Sequence, residues 1–297
     1  MTKKPTVTSV LKAASQGNVT MLRSALKQGF DPNELGGRGE IAPIHAAAAA
    51  NNNASLKLLL ARGANLNLES GTGVVPVAMA TKSATIRWLC NNGANPNHLN
   101  ALGIPPIAYQ FDPGAVKALI AQGASVDQRW DGQIGAISCS YRDFTKLAQI
   151  VSFSIPTTVP GRFEQCNSTK EGIELLKVLL RSGADPNVQF QLQRGPPLLE
   201  SYRPLDLVDD HEAIDLLLSH EADPALIEGG LRKISGCLLH SLSKAAKTIK
   251  KYRLHDKRSD ALLTAIVKSD IKKARTLIDD GVDVDAFGRK KLPKQVT

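Results

Sequence analysis

The sequence predicts an all-α solenoid of stacked helix–turn–helix units that are joined by β-hairpin-like loops. The first observation is a recurring motif, spelled RSGADPN at Arg181–Asn187, NNGANPN at Asn91–Asn97 and ARGANLN at Ala61–Asn67. The second is that an apolar run with helical spacing precedes each copy. The third is the composition: 42% of residues are hydrophobic but only 4% are aromatic, which favours closely packed short helices.

The glycine of this motif, called the marker glycine below, gives the period. A seventh copy, LSHEADP, has Glu221 in its place, and the steps between successive markers are 34, 30, 30, 60, 38 and 60 residues. Self-similarity at this spacing is typical of repeat architectures. The marker glycines are Gly29, Gly63, Gly93, Gly123, Gly183 and Gly281.

Each marker is predicted to end a helix. Apolar residues before it recur at i, i+3 and i+4, as in Leu56-Leu59-Leu60 and Val116-Leu119-Ile120, and this spacing forms one helical face. Glycine then adopts the left-handed conformation that stops a helix without Cβ strain. The Asp or Asn that follows starts a turn, since its side chain can bind nearby backbone groups.

A second, shorter helix is predicted upstream of each apolar run. Its clearest copy is Pro43–Ala47, and weaker copies begin at Pro76, Pro106 and Pro204. Proline is well tolerated in the first helical turn, where its missing N–H has no partner to lose. The first copy has 20 residues from proline to marker and the other three have 17, so their inner helices or connecting loops should be shorter. No such unit buries its apolar face alone, and neighbours must stack.

APIHAAAAA followed by LKLLLARGANLN resembles the ankyrin repeat, whose pattern is a TPLHxAA helix, a second apolar helix and a GADxN turn. The resemblance covers nearly the whole chain, in about seven to nine repeats. It implies a non-catalytic scaffold or adaptor that binds a partner protein with its hairpin tips and the concave face of its inner helices. It also implies that His45 ties neighbouring turns together.

We expect residues 1–297 to form a single array, with clear repeats over 5–127 and a further repeat at 188–225. Residues 128–187 are irregular. They hold either a degraded repeat, with YRDFTKLAQIV as its second helix, or one repeat interrupted by SFSIPTTVPGRFEQCNSTK. Residues 226–258 are expected to be a degenerate basic repeat, and residues 259–297 the last repeat and a tail.

The hairpin tips are predicted at 34–40, 68–73, 98–103, 128–132 and 188–195. Protein interfaces favour Trp, Tyr and Arg, so residues of these types, with one Phe, are the candidate partner contacts. Trp130 is the first choice because an exposed tryptophan is unusual without a use. The candidates are Arg38, Tyr109, Arg129, Trp130, Tyr141, Arg142, Phe190 and Arg194.

A basic segment at 231–258 carries nine basic residues and one acidic residue, and so holds eight of the nine net positive charges of the chain. It is interpreted first as the solvated face of a repeat. Docking of an acidic partner protein is an alternative, and so is binding of nucleic acid or anionic lipid. Its candidate contact residues are Lys244, Lys247, Lys250, Lys251 and Arg253.

Other features limit the function classes. The four cysteines are scattered without CxxC spacing, which favours a reducing, cytoplasmic location. No run of about 18 apolar residues predicts a transmembrane helix. Phosphate-binding, nucleophile-elbow and zinc-protease motifs are absent from the sequence, so we expect no catalytic residue, cofactor, metal or small-molecule substrate. Two alternatives remain: the recognition part of a larger enzyme, and a microbial effector acting in the cytosol of a host cell.

Overall fold

The computed structural model describes residues 5–37, 39–134, 139–152, 154–156, 163–165, 170–192, 200–208 and 210–223, with Lys272 and Thr276. The described chain divides into two compact units. The first is formed by residues up to Lys146 together with Leu192, and the second by Leu147–Gln191 and the described residues from Glu200 onward.

Helix pairs build the first unit. Each pair has an inner helix and an outer helix, and the outer helix ends at a marker glycine. The inner helices are α1 (Val7–Gln16), α3 (Pro43–Ala49), α5 (Pro76–Met79) and a 3-10 helix at Pro106–Tyr109; the outer helices are α2 (Val19–Lys27), α4 (Asn53–Leu60), α6 (Ser83–Asn91) and α7 (Pro113–Ala121). Inner helices contact the next inner helix, as α1 with α3 and α3 with α5, and this stacking is what the repeat pattern predicts.

The apolar runs form the core between the two layers of helices. Leu56, Leu59, Ile86 and Leu89 are fully buried, because residues three and four apart share the helix face that meets the neighbouring helices. At the end of α4, the Ala64 N–H donates to the Leu59 carbonyl at 3.0 Å. Such a bond closes a helix through a left-handed residue, and Gly63 supplies it with φ 86°.

The three units with the shorter spacing have shorter inner helices, as predicted. Helix α3 has seven residues, whereas α5, the 3-10 helix and α10 (Pro204–Leu207) have four each. The deficit of three residues in spacing therefore equals the deficit in helix length. One turn of the inner helix is lost, and the outer helices keep their length.

The irregular region contains strands as well as helices. Strand β1 (Trp130–Ile134) pairs antiparallel with β2 (Cys139–Phe144). Helix α8 (Lys146–Ser152) follows, then β3 (Ser154–Pro156) paired with β4 (Phe163–Gln165), then α9 (Lys170–Arg181). The choice between a degraded repeat and an interrupted one stays a prediction.

The second unit continues with a further helix pair. Strand β5 (Phe190–Leu192) is followed by β6 (Glu200–Tyr202), α10 and α11 (His211–Ser219), and α11 packs on α9. Glu221 takes the place of the marker glycine and adopts φ 71°. None of the described helices has the length and apolar content that a transmembrane span needs.

Candidate partner-binding surface

The first Asp or Asn of each motif organises its own turn. The Oδ1 atom of Asp31 accepts the Asn33 N–H at 2.8 Å, and Asn65 and Asn95 accept the N–H of Asn67 and Asn97 at 2.9 Å each. These are short-range side-chain-to-backbone bonds of the kind that favour turns. The role predicted for this position is confirmed.

The last Asn of each motif binds the next repeat, a role that the sequence analysis did not assign. Asn33 Nδ2 donates to the Gly63 carbonyl at 3.0 Å, and its Oδ1 accepts the Asn65 N–H at 2.7 Å. Asn67, Asn97 and Asn187 make the same pair of bonds to the following repeat. Each side chain therefore clamps two consecutive motifs at a fixed spacing.

The tips that follow the motifs are hairpin-like loops with internal supports. Gly36 and Ile41 form an isolated antiparallel bridge in the first tip. In the third tip, Oδ1 of the buried Asn100 accepts the Leu102 and Ile104 N–H groups at 3.0 and 2.9 Å. Ser70 holds the second tip in the same way, since its Oγ accepts the Val74 N–H at 3.1 Å.

His45 supports the second tip from below, which fulfils the expectation that it ties turns together. Its Nδ1 accepts the Ala42 N–H at 3.1 Å, and its Nε2 lies 2.9 Å from the Leu68 carbonyl and 3.1 Å from the Val74 carbonyl. Two carbonyl partners require the proton on Nε2, so the ring is the neutral Nε2–H tautomer. Burial lowers the pKa of His45 below its usual value, although the backbone bonds oppose the effect.

Neighbouring tips are also bonded to one another. The Gly71 N–H donates to the Glu40 carbonyl at 3.0 Å, and Asn100 Nδ2 donates to the Gly73 carbonyl at 3.1 Å. On the side chains, His98 Nε2 lies 2.9 Å from Glu69 Oε1. The first three tips are therefore held as one preorganised surface before any partner arrives.

This surface exposes large aliphatic side chains. Leu35 is 40% exposed, Leu99 47% and Leu102 69%. We call the loops 34–37, 39–40, 68–73 and 98–103 the tip surface. Sequence reasoning missed its leucines because leucine is usually a core residue. Leu99 and Leu102 lie in the loop HLNALG, outside any helical period, and this is the signal that identifies them.

Tyr109 lies beside the tip surface, but its hydroxyl is used within the fold. Its Oη accepts a hydrogen bond from Asn100 Nδ2 at 2.9 Å, and the side chain is half-buried. Burial raises the pKa of Tyr109, and the Asn100 bond opposes that shift. The predicted contact role of Tyr109 stays a prediction.

The expectation that Trp130 is exposed at a tip is wrong. Residues 128–132 run into strand β1, and the side chain of Trp130 is only 4% exposed. A strand alternates its side chains between two faces, and a large apolar ring favours the covered one. Arg129, the preceding residue, is exposed, and its role as a contact stays a prediction.

Phe190 is buried as well, which corrects its placement on an exposed tip. It lies in β5, is 1% exposed, and its ring centroid is 6.5 Å from that of Tyr202 in β6. Its apolar surface is therefore used within the second unit. Tyr141 and Arg142 lie in β2, where Tyr141 is opposite Gly132 of β1, and their side chains lie outside the described residues.

The remaining candidate contacts also lie outside the described residues. They are Arg38, Arg194 and the basic segment with Lys244, Lys247, Lys250, Lys251 and Arg253. Among the residues that are described, no group of three His, Cys, Asp or Glu side chains could hold a metal ion. Cys90 is a free, partly buried thiol, and burial raises its pKa to about 11, so at neutral pH it is protonated.

Comparison with known proteins agrees with this architecture. The family model for the ankyrin repeat matches residues 41–70. This range includes helix α3 with His45 and the GANLN turn at residues 63–67. The crystal structure of the human ASB11 ankyrin repeat domain superimposes with a TM-score of 0.50 at 20% identity, covering 72% of this chain and 84% of that one. The sequence match identifies an ankyrin repeat at residues 41–70, and the likeness to the solved domain shows the fold. No curated protein matches it in sequence.

Ankyrin repeats are generally protein–protein interaction modules, and the family is typically non-catalytic. The similarity to the ASB11 domain is a similarity of fold. The partner of this repeat array therefore depends on the residues of its own surface.

Proposed function

We propose that this ankyrin array is a scaffold or adaptor that binds a partner protein through its tip surface and the adjoining concave face of its inner helices. The observation that carries the proposal is Leu102, 69% exposed at the end of a loop whose neighbour Asn100 is only 6% exposed. Leu35 and Leu99 are also exposed on the bonded loops, and apolar side chains that are exposed together mark interaction sites.

The hydrogen bonds that hold the tip loops in place before binding favour a higher affinity for a partner. Association costs less when the contacting loops are fixed beforehand, because little conformational entropy is then lost. The bonds from Gly71 to Glu40, from Asn100 to Gly73 and between His98 and Glu69 fix three loops along the stack. A partner therefore contacts three aliphatic side chains, Leu35, Leu99 and Leu102, on loops that are already ordered.

The inner helices add further apolar surface next to the tips. Met79 and Tyr109 occupy the same position, three residues after the first proline of their helices, and both are half-buried. The equivalent residue in α3 is Ala46, which is 7% exposed. The concave face thus offers one partly open apolar side chain in each of two successive repeats, and a partner with an aliphatic or aromatic protrusion fits it.

The proposal includes no catalytic step, and it includes a cytoplasmic location. The single, scattered cysteines support a reducing compartment, and the half-buried Cys90 thiol is consistent with one. The wider possibilities of a larger enzyme or an effector in a host cell are not needed to account for the tip surface.

The test is affinity capture from a cytosolic lysate with the wild-type chain and two variants at one position. Leu102→Asp places a charge on the third loop of the tip surface, whereas Leu102→Met keeps an apolar side chain of similar size. We expect partners to be retained by Leu102→Met and lost from Leu102→Asp, with equal thermal stability, because the side chain is exposed. The same partners on all three proteins would refute binding through the tips.

A second variant covers the same surface independently. Leu99→Asp should lose the same partners as Leu102→Asp, since both leucines lie on the loop 98–103. Loss of different partners would mean that the loop is not one contact site.

A further inference from the structure

One residue position in the first four repeats is always basic. The residue six places before the marker glycine is Arg23, Lys57, Arg87 and Lys117 in turn. All four lie on outer helices and are exposed. We call them the cationic row.

No acidic residue accompanies this row on its helices. Helices α2, α4, α6 and α7 contain neither Asp nor Glu, so the pairing of charges three or four residues apart that stabilises many surface helices is missing. Within the described part of the chain, none of the four cations takes part in a salt bridge. The acid nearest to the row in sequence is Asp112, which caps the start of α7, where its Oδ1 accepts the Ala115 N–H at 2.7 Å.

In the second unit, the cation at the same position in the repeat is paired with acidic residues. Lys177 lies six residues before Gly183, and its Nζ is 2.9 Å from both Glu174 and Glu212. Those acids belong to α9 and α11, the outer helices of that unit. The fold therefore satisfies the charge at this position where acids are available, and leaves it open along the cationic row.

Small residues border the row on one side. The exposed position nine residues before the marker is Thr20, Ala54, Ala84 and Gly114 in turn. Each cation therefore stands beside a shallow strip on which a chain can lie without displacing a large side chain. Large apolar groups that could insert into a bilayer are scarce here, with Met21 the one strongly exposed, at 37%, among the described outer helices.

The repeats also fix the spacing of the charges. Packed helices lie about 8–10 Å apart, and the asparagine clamps hold each repeat to the next. Thr85 Oγ1 bonds Asn53 Oδ1 at 3.2 Å, and Ser83 Oγ bonds the Gly114 carbonyl at 3.2 Å. The outer helices α4, α6 and α7 are thereby joined directly, and the cations they carry form a stiff ladder.

We propose that the cationic row binds an extended acidic segment of a partner protein that carries a carboxylate at about every third residue. A polyproline II chain has three residues per turn and rises about 3.1 Å per residue, so such carboxylates recur on one face at about the spacing of the outer helices. A bilayer of mobile lipids needs no such regular spacing. Single-stranded nucleic acid needs aromatic stacking platforms, and Trp88 is the one aromatic residue on the described outer helices of this unit.

The test measures fluorescence anisotropy of a labelled peptide made of Glu-Pro-Pro triplets against the full chain. A second peptide has the same composition with its glutamates in one block. The row variant changes Arg23, Lys57, Arg87 and Lys117 to Gln. The matched control variant changes four exposed cations outside the row to Gln, and these are Lys12, Lys27, Arg62 and Lys82.

We expect the triplet peptide to bind more tightly than the block peptide and to weaken as salt rises. The row variant should lose about tenfold or more in affinity, since exposed ion pairs contribute modestly and add over four sites. The control variant should lose less than about twofold. If the row variant fails to fold, two double variants, Arg23→Gln with Lys57→Gln and Arg87→Gln with Lys117→Gln, should each lose part of the affinity.

Several outcomes overturn the proposal. Equal loss in the row and control variants would mean that only net charge matters, and equal binding of both peptides would remove the spacing argument. No binding of the triplet peptide at low salt, or preferential binding of phosphatidylserine vesicles or oligothymidylate, would do the same. The leucine variants of the tip surface test the proposed function separately, because they leave the cationic row unchanged.

Discussion

The side-chain amide of Asn67 donates a hydrogen bond to the carbonyl of Gly93 in the next repeat, with 3.0 Å between Nδ2 and O. Its Oδ1 accepts the N–H of Asn95, in the same repeat, at 2.7 Å. One half-buried side chain thus joins two repeats at both its donor and its acceptor, a pattern that Asn33, Asn97 and Asn187 repeat. Stability in repeat proteins depends on nearest-neighbour interfaces, so these clamps should contribute to cooperativity.

Asn67→Ala removes both bonds of one clamp without opening the core. We expect it to lower the free energy of unfolding by about 0.5–1.5 kcal/mol per bond lost, measured by urea denaturation. Asn91→Ala is the control, because Asn91 is exposed at the end of α6 and, among the described residues, makes no hydrogen bond to the next repeat. Equal effects of the two substitutions would show that the clamp contributes nothing beyond a surface asparagine.

The buried imidazole of His45 should make stability depend on pH. Its folded pKa is lowered by burial, so below about pH 6.5 the unfolded chain binds a proton that the folded chain does not. The contribution of His45 to stability should be constant above neutral pH and fall as the pH drops below 6.5, by up to about 1.4 kcal/mol per pH unit. Urea denaturation between pH 7.5 and 5.5 measures it.

His45→Gln separates this effect from other titrating groups. Gln has no charge to gain, so the part of the slope that belongs to His45 should disappear in the variant, even though its stability at pH 7.5 is lower. An unchanged slope would assign the pH dependence to groups elsewhere in the chain.

Gln110 compensates for the short inner helix of the third repeat. Its Nε2 donates to the carbonyls of Ala78 and Ala80, the latter at 3.0 Å, and the side chain is 4% exposed. Asn51 approaches the same connection from the preceding repeat, and its Oδ1 accepts the N–H groups of Thr81 and Lys82 at 3.1 and 2.8 Å. The backbone left open by the missing turn is therefore satisfied by both neighbours.

Gln110→Leu keeps the size of the side chain and leaves two buried carbonyls without their donor. We expect a loss of about 1–3 kcal/mol in the free energy of unfolding, observed by thermal or urea denaturation. Gln122→Leu is the matched change at a half-buried position and should cost less than about 0.5 kcal/mol. A small effect at Gln110 would mean that water replaces the lost donor.

The local features of the repeat could be predicted from the sequence. The helix pairs, the glycine stops and the shorter inner helices follow from apolar spacing, φ preference and residue counts that act within one repeat. The clamp of Asn67 could not be predicted, since its partners lie in the following repeat and depend on how two turns stack. The position of Trp130 was wrong because residue type predicts contact only when exposure is known. The pairing of β1 with β2, in which Trp130 lies opposite Phe144, has no strong signal in WDGQI.

Glu221 occupies a position where the other described repeats have the marker glycine. It adopts φ 71°, a left-handed conformation that costs a residue with a Cβ about 1–2 kcal/mol. Glu221→Gly removes this strain but adds unfolded-state entropy of about 0.4–1 kcal/mol. We expect a net gain of about 0.5–1 kcal/mol and a higher melting temperature, with the clamp from Asn187 to residue 221 unchanged.

Gly183→Ala is the reciprocal change, in the preceding marker of the same unit. Gly183 has φ 89°, and an added Cβ would have no atom within 4 Å, so strain in the backbone is the main cost. Its melting temperature should fall. If both substitutions shift stability in the same direction, the left-handed conformation is not what limits this turn.

Lys146 is a fully buried lysine whose place in the repeat explains its burial. It begins α8 at the position where α3, α5 and α10 have proline, and those prolines are buried as well. Its Nζ lies 3.4 Å from the Ala108 carbonyl and 4.1 Å from the centroid of the Phe111 ring. A cation held against a ring and a carbonyl is partly compensated for the water it has lost.

A double-mutant cycle measures the contact between Lys146 and Phe111. Phe111→Leu should cost about 0.5–2 kcal/mol more in the wild type than in a Lys146→Met background, because only the wild type has a cation over the ring. Urea denaturation of the four proteins gives the coupling. A cycle of Lys146→Met with Leu35→Ala, which is remote in the first tip, should show coupling below about 0.5 kcal/mol. Equal coupling in both cycles would mean that the ring contributes only apolar surface.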